Sequence, residues 1–535
     1  MMKNDRLLFF NGEILTLTET MPQADWLLVA DGRIAAVGRG SEWERYQADA
    51  ASVDLAGRTM IPGLVDSHVH LMETALNEVG INLGACCSTD EVIACIRKNQ
   101  GRHAWGKLIH CVGLEEVKLK EKRMPTRFEL DTVITDRMLW ISSVEYHVSV
   151  VNTLGLRWLD LPFNLEGIQR NEAGIPTGVL TGRANFFARK KLLGLTTDQT
   201  REKGVGQVLN RAIEKGVTTI NAMEGGFLFH DQDALYVLRS LEKMPIDVAF
   251  FYQTTDVAKV VALGLDKIGG CIFVDGSFGA HTAALDYPYS DRGESMGTLF
   301  FHFEEIRDFV SESMKHNLTV TLHAIGTRAI RLVLEAYREG RRLHPHSTSI
   351  LRIEHFELPN QDLIEQAVLL KVILSMQPAY EYFWGGSGGM YEERLGEQRR
   401  CRTNPLKTLW KQGCIIAGGS DSDVTPIDPL LGIHAAVNHP TESERLAPLE
   451  ALAMFTLNGA KAIGQQGEKG TLEVGHLADL CILEENPLRV HPEKIKDIQV
   501  TATIKKGKIL FDRGIQLNSE PLKSPQGNLK VKLGG

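Results

Sequence analysis

The sequence lacks the features that would place the protein in a membrane, outside the cell or on nucleic acid. No apolar run reaches the roughly 18 residues that a transmembrane helix needs. The start has no signal-peptide core, and the 8 cysteines show no paired spacing, so we interpret them as free thiols of a cytoplasmic protein. The formal net charge of −8 offers no basic surface for nucleic acid.

Both ends of the chain have a pattern typical of β-structure. Before residue 60, the turn pairs Asn11-Gly12 and Asp31-Gly32 separate apolar runs, which is a strong hairpin signal. After about residue 465, short apolar runs and glycine turns return. A chain of 535 residues is expected to form two or three structural units. We therefore predict that residues 1–60 and 465–535 pair into one small β-sandwich domain.

Residues 61–464 alternate apolar strands with amphipathic helices. This alternation, in eight units, predicts an α/β fold with a (β/α)₈ TIM-like barrel; a doubly wound parallel sheet is the alternative. The predicted strands are Leu64–His70, Val217–Glu224, Ile246–Gln253, Cys271–Gly276, Leu318–Ala324, Leu351–Phe356, Val372–Gln377 and Ile415–Asp421.

The connection after the first predicted strand is far longer than a normal βα loop. It contains strand-like runs of its own at residues 107–112 and 138–143. We predict an inserted subdomain at about residues 71–205. It should lie over the barrel mouth, where the loops that follow strands carry function.

Residues of the types that bind metals stand at the ends of several predicted strands. His68 and His70 end the first, His323 the fifth, His355 the sixth and Asp421 the eighth. Each alone could be an ordinary polar group at a strand end. However, strand ends meet at one rim of a barrel, so together they predict a metal centre. Four imidazoles and a carboxylate suit zinc or another first-row divalent ion.

The order of these motifs resembles the amidohydrolase superfamily of metal-dependent hydrolases, in particular the branch that includes the N-substituted formamide deformylases. The resemblance covers almost the whole chain. The motifs are residues 62–70 (PGLVDSHVH), 145–147 (EYH) with 151–152 (VN), 174–179 (GIPTGV), 275–277 (DGS), 323–326 (HAIG), 352–355 (RIEH), 419–421 (GSD) with 429–432 (PLLG), and 475–480 (GHLADL).

The resemblance implies a hydrolase that cleaves a non-peptide C–N bond in an amide, an N-formyl or N-acyl amine, or a cyclic amide. His68 and His70 would hold one ion with Asp421, while His323 and His355 hold a second ion or complete a single site. Such an ion lowers the pKa of its water from 15.7 to about 7. Asp421 would act as the general base and then as the general acid.

Cys271 stands where this branch usually has a lysine, which binuclear members carboxylate to bridge two metals. Strand alternation places Cys271, Phe273 and Asp275 on one face, so Cys271 should point into the barrel. Beside a divalent ion its thiolate could bridge two metals. The alternative is a small core residue in a site that keeps one metal.

Five further residues are candidates for substrate binding. His147 lies in the insertion, and His281 stands where relatives often have arginine. Glu224 ends the second strand and could be a ligand, a proton relay or an ion-pair partner. Tyr380 and Trp384 follow the seventh strand and could line an apolar pocket or simply pack.

Two other classes of function fit the same motifs. The first is a non-hydrolytic member, such as an isomerase or a decarboxylase, that uses the same metal. The second is a catalytically silent binding protein, although such a protein would not need four histidines and an aspartate. In each case we expect a small-molecule partner, no nucleic acid and no membrane, and the sequence is compatible with a homo-oligomer.

Overall fold

The computed structural model describes residues 6–101, 104–144, 146–226, 230–515 and 517–518; Glu145 of the EYH motif lies outside them. Two β-sheets built from both chain ends pack face to face. The first sheet has the strand order Leu517–Asn518, Ala51–Asp54, Arg6–Phe10, Trp26–Ala30, Arg33–Gly38. The second has the order Lys508–Asp512, Val500–Lys505, Leu480–Leu483, Thr59–Pro62, Glu13–Leu15, Gln23–Ala24.

The two ends of the chain meet directly in the second sheet. Ile482 lies opposite Met60 in an antiparallel pair of strands. Both side chains are fully buried, in one core with Phe9 and Val29 of the first sheet. Burial of these apolar faces against each other is the main force that joins the two termini.

The central unit is an 8-stranded parallel sheet that closes into a nearly complete barrel, which confirms the predicted fold class. Its strands are β1 (Leu64–Val69), β2 (Val217–Glu224), β3 (Asp247–Tyr252), β4 (Lys267–Ile268), β5 (Thr319–Ala324), β6 (Leu351–His355), β7 (Ile373–Met376) and β8 (Ile415–Gly418). The ring closes just beyond β8, where the N–H of Asp421 donates to the His68 carbonyl at 2.8 Å and the N–H of His70 donates to the Ser422 carbonyl at 2.7 Å.

The prediction of the fourth strand as Cys271–Gly276 is wrong. The ladder strand is the shorter β4, and Gly269 and Gly270 end it with φ angles of 100° and 65°. Only glycine fits at 269, because a Cβ there would lie 1.9 Å from the Thr321 carbonyl oxygen. Cys271 therefore follows the strand, yet its side chain still points inward, toward histidines of β5 and β6.

The helices around the barrel cover its apolar outer face. They are Leu71–Glu78, Asp198–Glu214, Asp231–Ser240, Val257–Ala262, Phe303–Lys315, Thr327–Leu343, Gln361–Leu369, Leu406–Lys411, Pro429–Val437, Pro448–Met454 and Leu457–Lys461. Three more, Ala379–Trp384, Met390–Leu395 and Glu397–Arg400, follow β7 at the mouth. Short 3₁₀ turns lie at Glu42–Tyr46, Leu241–Lys243, Glu442–Glu444 and Pro492–Asp497. Among the described residues, no helix is long and apolar enough to cross a bilayer.

The insertion after β1 has a sheet of its own. Its strand order is Ala104–Trp105, Leu108–Leu114, Met138–Ser143, Val148–Val151, Pro176–Thr181, Ile168–Arg170, with Ile81–Asn82 also paired to Leu108–Leu114. Its helices are Thr89–Asn99, Arg127–Leu130, Thr153–Leu159 and Gly182–Leu193. The barrel helix Asp198–Glu214 runs across residue 205 and packs on Leu71–Glu78, so the insertion ends earlier than about residue 205.

Candidate metal centre

His68, at the end of β1, is held in a single orientation by a buried carboxylate. Its Nδ1 lies 2.6 Å from Oε2 of Glu354, and neither side chain has any exposed surface. Glu354 also pairs with Arg352 at 2.8 Å. Because a carboxylate only accepts, Nδ1 of His68 carries the proton and donates, and the lone pair of Nε2 is free to bind a metal.

Asp421 brings a second acceptor to the same point. Its Oδ1 lies 3.2 Å from Nε2 of His68 and 3.1 Å from Nε2 of His70. Within the described part of the chain, Nε2 of His68 and Oδ1 of Asp421 have no hydrogen-bond partner. Burial lowers the pKa of His68, but Asp421 and Glu354 outweigh it and raise that pKa well above its usual range. The two carboxylates thus favour positive charge at this point.

His323 and His355 approach from β5 and β6. Nδ1 of His355 lies 2.7 Å from Oε1 of Gln377, and Nε2 of His323 lies 3.3 Å from the Gly276 carbonyl oxygen. Both partners are acceptors, so these nitrogens carry the protons. The opposite nitrogens of both rings face Sγ of Cys271.

Sγ of Cys271 lies 3.5 Å from Nδ1 of His323 and 3.7 Å from Nε2 of His355. A tetrahedral zinc ion with bonds of about 2.3 Å to sulfur and about 2.05 Å to nitrogen would hold such atoms about 3.5 Å apart. Burial raises the pKa of the Cys271 thiol, but the hydrogen bond and charge of His323 and the hydrogen bond of His355 outweigh it and hold that pKa well below its usual range. The observed spacing and the thiolate therefore fit a metal.

Among the residues that the structure describes, two buried groups of side chains have ligand atoms within 4.8 Å of one another, and His68 belongs to both. The first is His68, His70 and Asp421, and the second is His68, Cys271 and His355. His323 adjoins the second group through Cys271. The donors are imidazole, thiolate and carboxylate, which is a set that suits zinc and similar ions.

Of the candidates for substrate binding, Tyr380 lies directly against this centre and Trp384 packs against Tyr380. The hydroxyl of Tyr380 donates to Oδ2 of Asp421, and its ring stacks on His355 with centroids 6.2 Å apart. The ring of Trp384, which is partly exposed, lies 5.0 Å from that of Tyr380. Tyr380 therefore orients the carboxylate of Asp421 as well as forming the wall of the site.

The other three candidates lie further out. Glu224 is buried beside His70 and accepts from the N–H of Met72 at 3.1 Å; burial raises the pKa of this carboxyl to about 8. It thus accepts a hydrogen bond from the first turn of the helix that follows His70. His281 pairs with Asp291 at 2.8 Å, and His147 is exposed.

Two residues that orient the ligands were missed from the sequence. Strand alternation would put Glu354 and His355 on opposite faces of β6, yet both reach the centre. His355 and Phe356 have φ angles of 75° and 51°, and this left-handed turn redirects His355. Gln377 lies directly beyond β7, at the end of the predicted seventh strand, and this position is the signal in the sequence that points to its role.

Comparisons with known proteins identify relatives of this chain. The model of the amidohydrolase family matches residues 51–511. The chain is 27% identical to the Protein LONG AFTER FAR-RED 3 of Arabidopsis thaliana, over 94% of this chain and 91% of that protein. It is 24% identical to the N-substituted formamide deformylase of Arthrobacter pascens, over 95% of this chain and 98% of that enzyme.

Among solved structures, an uncharacterized metal-dependent hydrolase from Pyrococcus furiosus superimposes with a TM-score of 0.78 at 26% identity. The match covers 90% of this chain and 100% of that one. Both the domain order and the barrel are therefore shared along nearly the full length. The chain belongs to the amidohydrolase family.

Proposed function

We propose that the protein is a metal-dependent hydrolase that cleaves a non-peptide C–N bond in a small molecule, such as an amide, an N-formyl or N-acyl amine, or a cyclic amide. The observation that carries this proposal is the convergence of the Asp421 carboxylate with the lone pair of His68 at one buried point. The likeness to the formamide deformylase supports the bond type. The depth of the centre favours a small substrate, because His68, Cys271 and His355 have almost no exposed surface.

The residues that would hold the metal are His68, His70, Asp421, His323 and His355, together with the thiolate of Cys271 in the second group. When bound, a divalent ion supplies Lewis acidity toward a carbonyl and lowers the pKa of a water.

Asp421 is the group that moves protons. Its Oδ1 faces the centre, while Oδ2 is held by the hydroxyl of Tyr380, so one oxygen is anchored and the other is available. Burial raises the pKa of Asp421, but His68 and His70 outweigh it and keep that pKa well below its usual range. The carboxylate is thus ionised at neutral pH, accepts the proton of the attacking water and passes it to the leaving nitrogen.

The decisive experiment pairs elemental analysis with a substrate screen. Purified protein should contain zinc, iron or manganese, and the metal-to-protein ratio distinguishes one ion from two. The loaded protein should release an amine from at least one N-formyl, N-acyl or cyclic amide. Protein without metal that gains no activity when metals are added would contradict the proposal, and turnover without incorporation of water would favour an isomerase or a decarboxylase.

The role of Cys271 has its own test. Cys271→Ser should lower the metal-to-protein ratio, and the cobalt-substituted protein should lose its sulfur-to-metal charge-transfer absorption. Cys481 is equally buried but lies in the β-sandwich, so Cys481→Ser is the matched control and should keep both. An unchanged ratio and absorption in Cys271→Ser would leave Cys271 as a packing residue.

A further inference from the structure

The loop that follows β8 carries Asp421, and its inner side bonds to the barrel. Asp421 itself has a φ of 53°, in the left-handed region that favours glycine. Its N–H and the carbonyl of Ser422 bond to the backbone of β1, as described above. Two residues further on, the side chain of Asp423 points to the other side of the loop, toward the insertion.

The insertion contributes a hydrogen bond to this loop. Oδ2 of Asp423 accepts from the amide of Asn77 at 2.6 Å and from the hydroxyl of Tyr146. Asn77 belongs to the barrel helix that follows β1, but Tyr146 belongs to the insertion, between Met138–Ser143 and Val148–Val151. Tyr146 therefore reaches from the insertion to within two residues of the proposed general base.

Tyr146 is itself firmly held. The amide of Asn185 donates to its carbonyl at 2.7 Å, and the guanidinium of Arg189 lies 4.4 Å from its ring centroid. Arg189 in turn pairs with the buried Glu73 of the barrel at 2.7 Å. Tyr146 adopts a φ of 59°, a left-handed conformation that a bulky residue keeps only where the surroundings impose it. Side chains of the insertion and the barrel together impose it here.

We propose that Tyr146 is a positioning residue for Asp421, acting through Asp423, so that the insertion is part of the catalytic unit and not only a cover. This inference rests on the proposed role of Asp421. The alternative is a purely structural role, in which Tyr146 only docks the insertion onto the barrel. The two differ in whether loss of one hydroxyl disturbs the metal centre or only the stability of the fold.

The test is a cycle of Tyr146→Phe, Asp423→Ala and the double variant, each measured for zinc affinity by chelator competition and for kcat and KM at saturating zinc. Tyr146→Phe should weaken zinc binding about 10-fold and lower kcat about 10- to 100-fold, with KM unchanged, because small displacements of a catalytic group are costly. Since Tyr146 acts through Asp423, the double variant should be no worse than Asp423→Ala alone.

The matched control is Tyr252→Phe, which removes another tyrosine–aspartate hydrogen bond, to Asp231 at 2.7 Å, on the same barrel. It should leave zinc affinity and kcat unchanged. The proposal is overturned if Tyr146→Phe behaves like this control, or if its effects add to those of Asp423→Ala. Wild-type protein that binds zinc but cleaves no amide would overturn the proposed substrate chemistry, and the zinc cycle would still decide the role of Tyr146.

Discussion

The end of the barrel opposite the candidate metal centre also buries charged side chains. There, Nζ of Lys505 donates to Asp247 and to Asp479, at 2.6 Å in each case. Lys469 also pairs with Asp247, and it donates to Oγ1 of Thr219 at 3.1 Å. Both lysines and Asp479 are nearly inaccessible to solvent. Cations and anions of the chain itself neutralise one another at this end and tie the β-sandwich to β2 and β3.

At the metal end the arrangement is the reverse. Nε2 of His68 faces a carboxylate oxygen of Asp421, while Nδ1 of the same ring is already hydrogen-bonded to Glu354. Burying such groups without a compensating cation is costly. The difference teaches that buried polarity alone does not mark a functional site. What marks it is polarity that the chain leaves uncompensated, in ligand-type residues that converge on one point.

The largest effect is expected for Asp421→Asn at the metal end. The amide cannot accept the proton, so kcat at saturating metal should fall about 10²- to 10⁴-fold. Circular dichroism should show that the fold survives. Asp286→Asn, which removes a partly exposed ion pair with Arg331, is the control and should keep full activity. Near-normal turnover of Asp421→Asn would remove its role in proton transfer.

At the opposite end, Lys505→Met should affect stability and not chemistry. It leaves two aspartates with one lysine fewer, and removing one partner of a buried pair costs about 3–5 kcal/mol. Denaturant unfolding measures this loss, while the metal content and kcat of the folded protein should stay at the wild-type level. Lys494→Met, at an exposed pair with Asp497, should cost no more than about 1 kcal/mol. Loss of metal from Lys505→Met would mean that the two ends are coupled.

Apolar runs locate strand ends in a sequence, and in a barrel those ends share one rim, so the sequence could predict that the candidate ligand residues lie together. His68, His70, Cys271, His355 and Asp421 all fall in the two groups that the structure brings together. This held for Cys271 even though its strand was misplaced, because the alternation of side chains continues past the two glycines.

The rest depends on backbone turns and on contacts distant in sequence. The left-handed φ of His355 breaks the alternation of side chains on β6, which would otherwise have placed Glu354 on the face away from the centre. The bond between Tyr146 and Asp423 joins residues 277 positions apart, so the sequence favoured the neighbouring His147 instead. Lys505 and Asp247 are equally remote, 258 positions apart, and lysine and aspartate on a strand ordinarily indicate a solvated face.

A smaller effect is expected for Gln377→Met at the metal end. The variant keeps the shape but removes the acceptor that fixes the proton on Nδ1 of His355. Loss of such an orienting bond typically weakens metal binding about 10- to 100-fold, which chelator competition measures. Thr219→Val removes a hydrogen bond to Lys469 at the other end and should leave the metal affinity unchanged. Equal affinities in both variants would show that the tautomer of His355 needs no fixing.

The smallest effect is expected at acidic pH, where the opposite end loses stability and the metal end loses its metal at different pH values. Burial raises the pKa of Asp247, but Lys469 and Lys505 outweigh it and lower that pKa to about 2, below the ordinary value of about 3.9. A lowered pKa means that the carboxylate stabilises the fold above pH of about 4 and that this contribution is lost as the pH falls toward about 2. The metal should leave earlier, as the imidazoles gain protons, because they must be unprotonated to bind it.

The comparison of wild type with Asp247→Asn isolates this contribution of the opposite end. The difference between their Tm values should stay constant from pH 7 to about 4 and shrink below that, whereas zinc release from both should be complete before the difference changes. The effect should be smaller than that of Lys505→Met, because the side chain of Asp247 is 30% exposed. If the Tm difference shrinks in step with zinc release, the ion pairs at the opposite end depend on the metal centre. The two ends of the barrel would then not be independent.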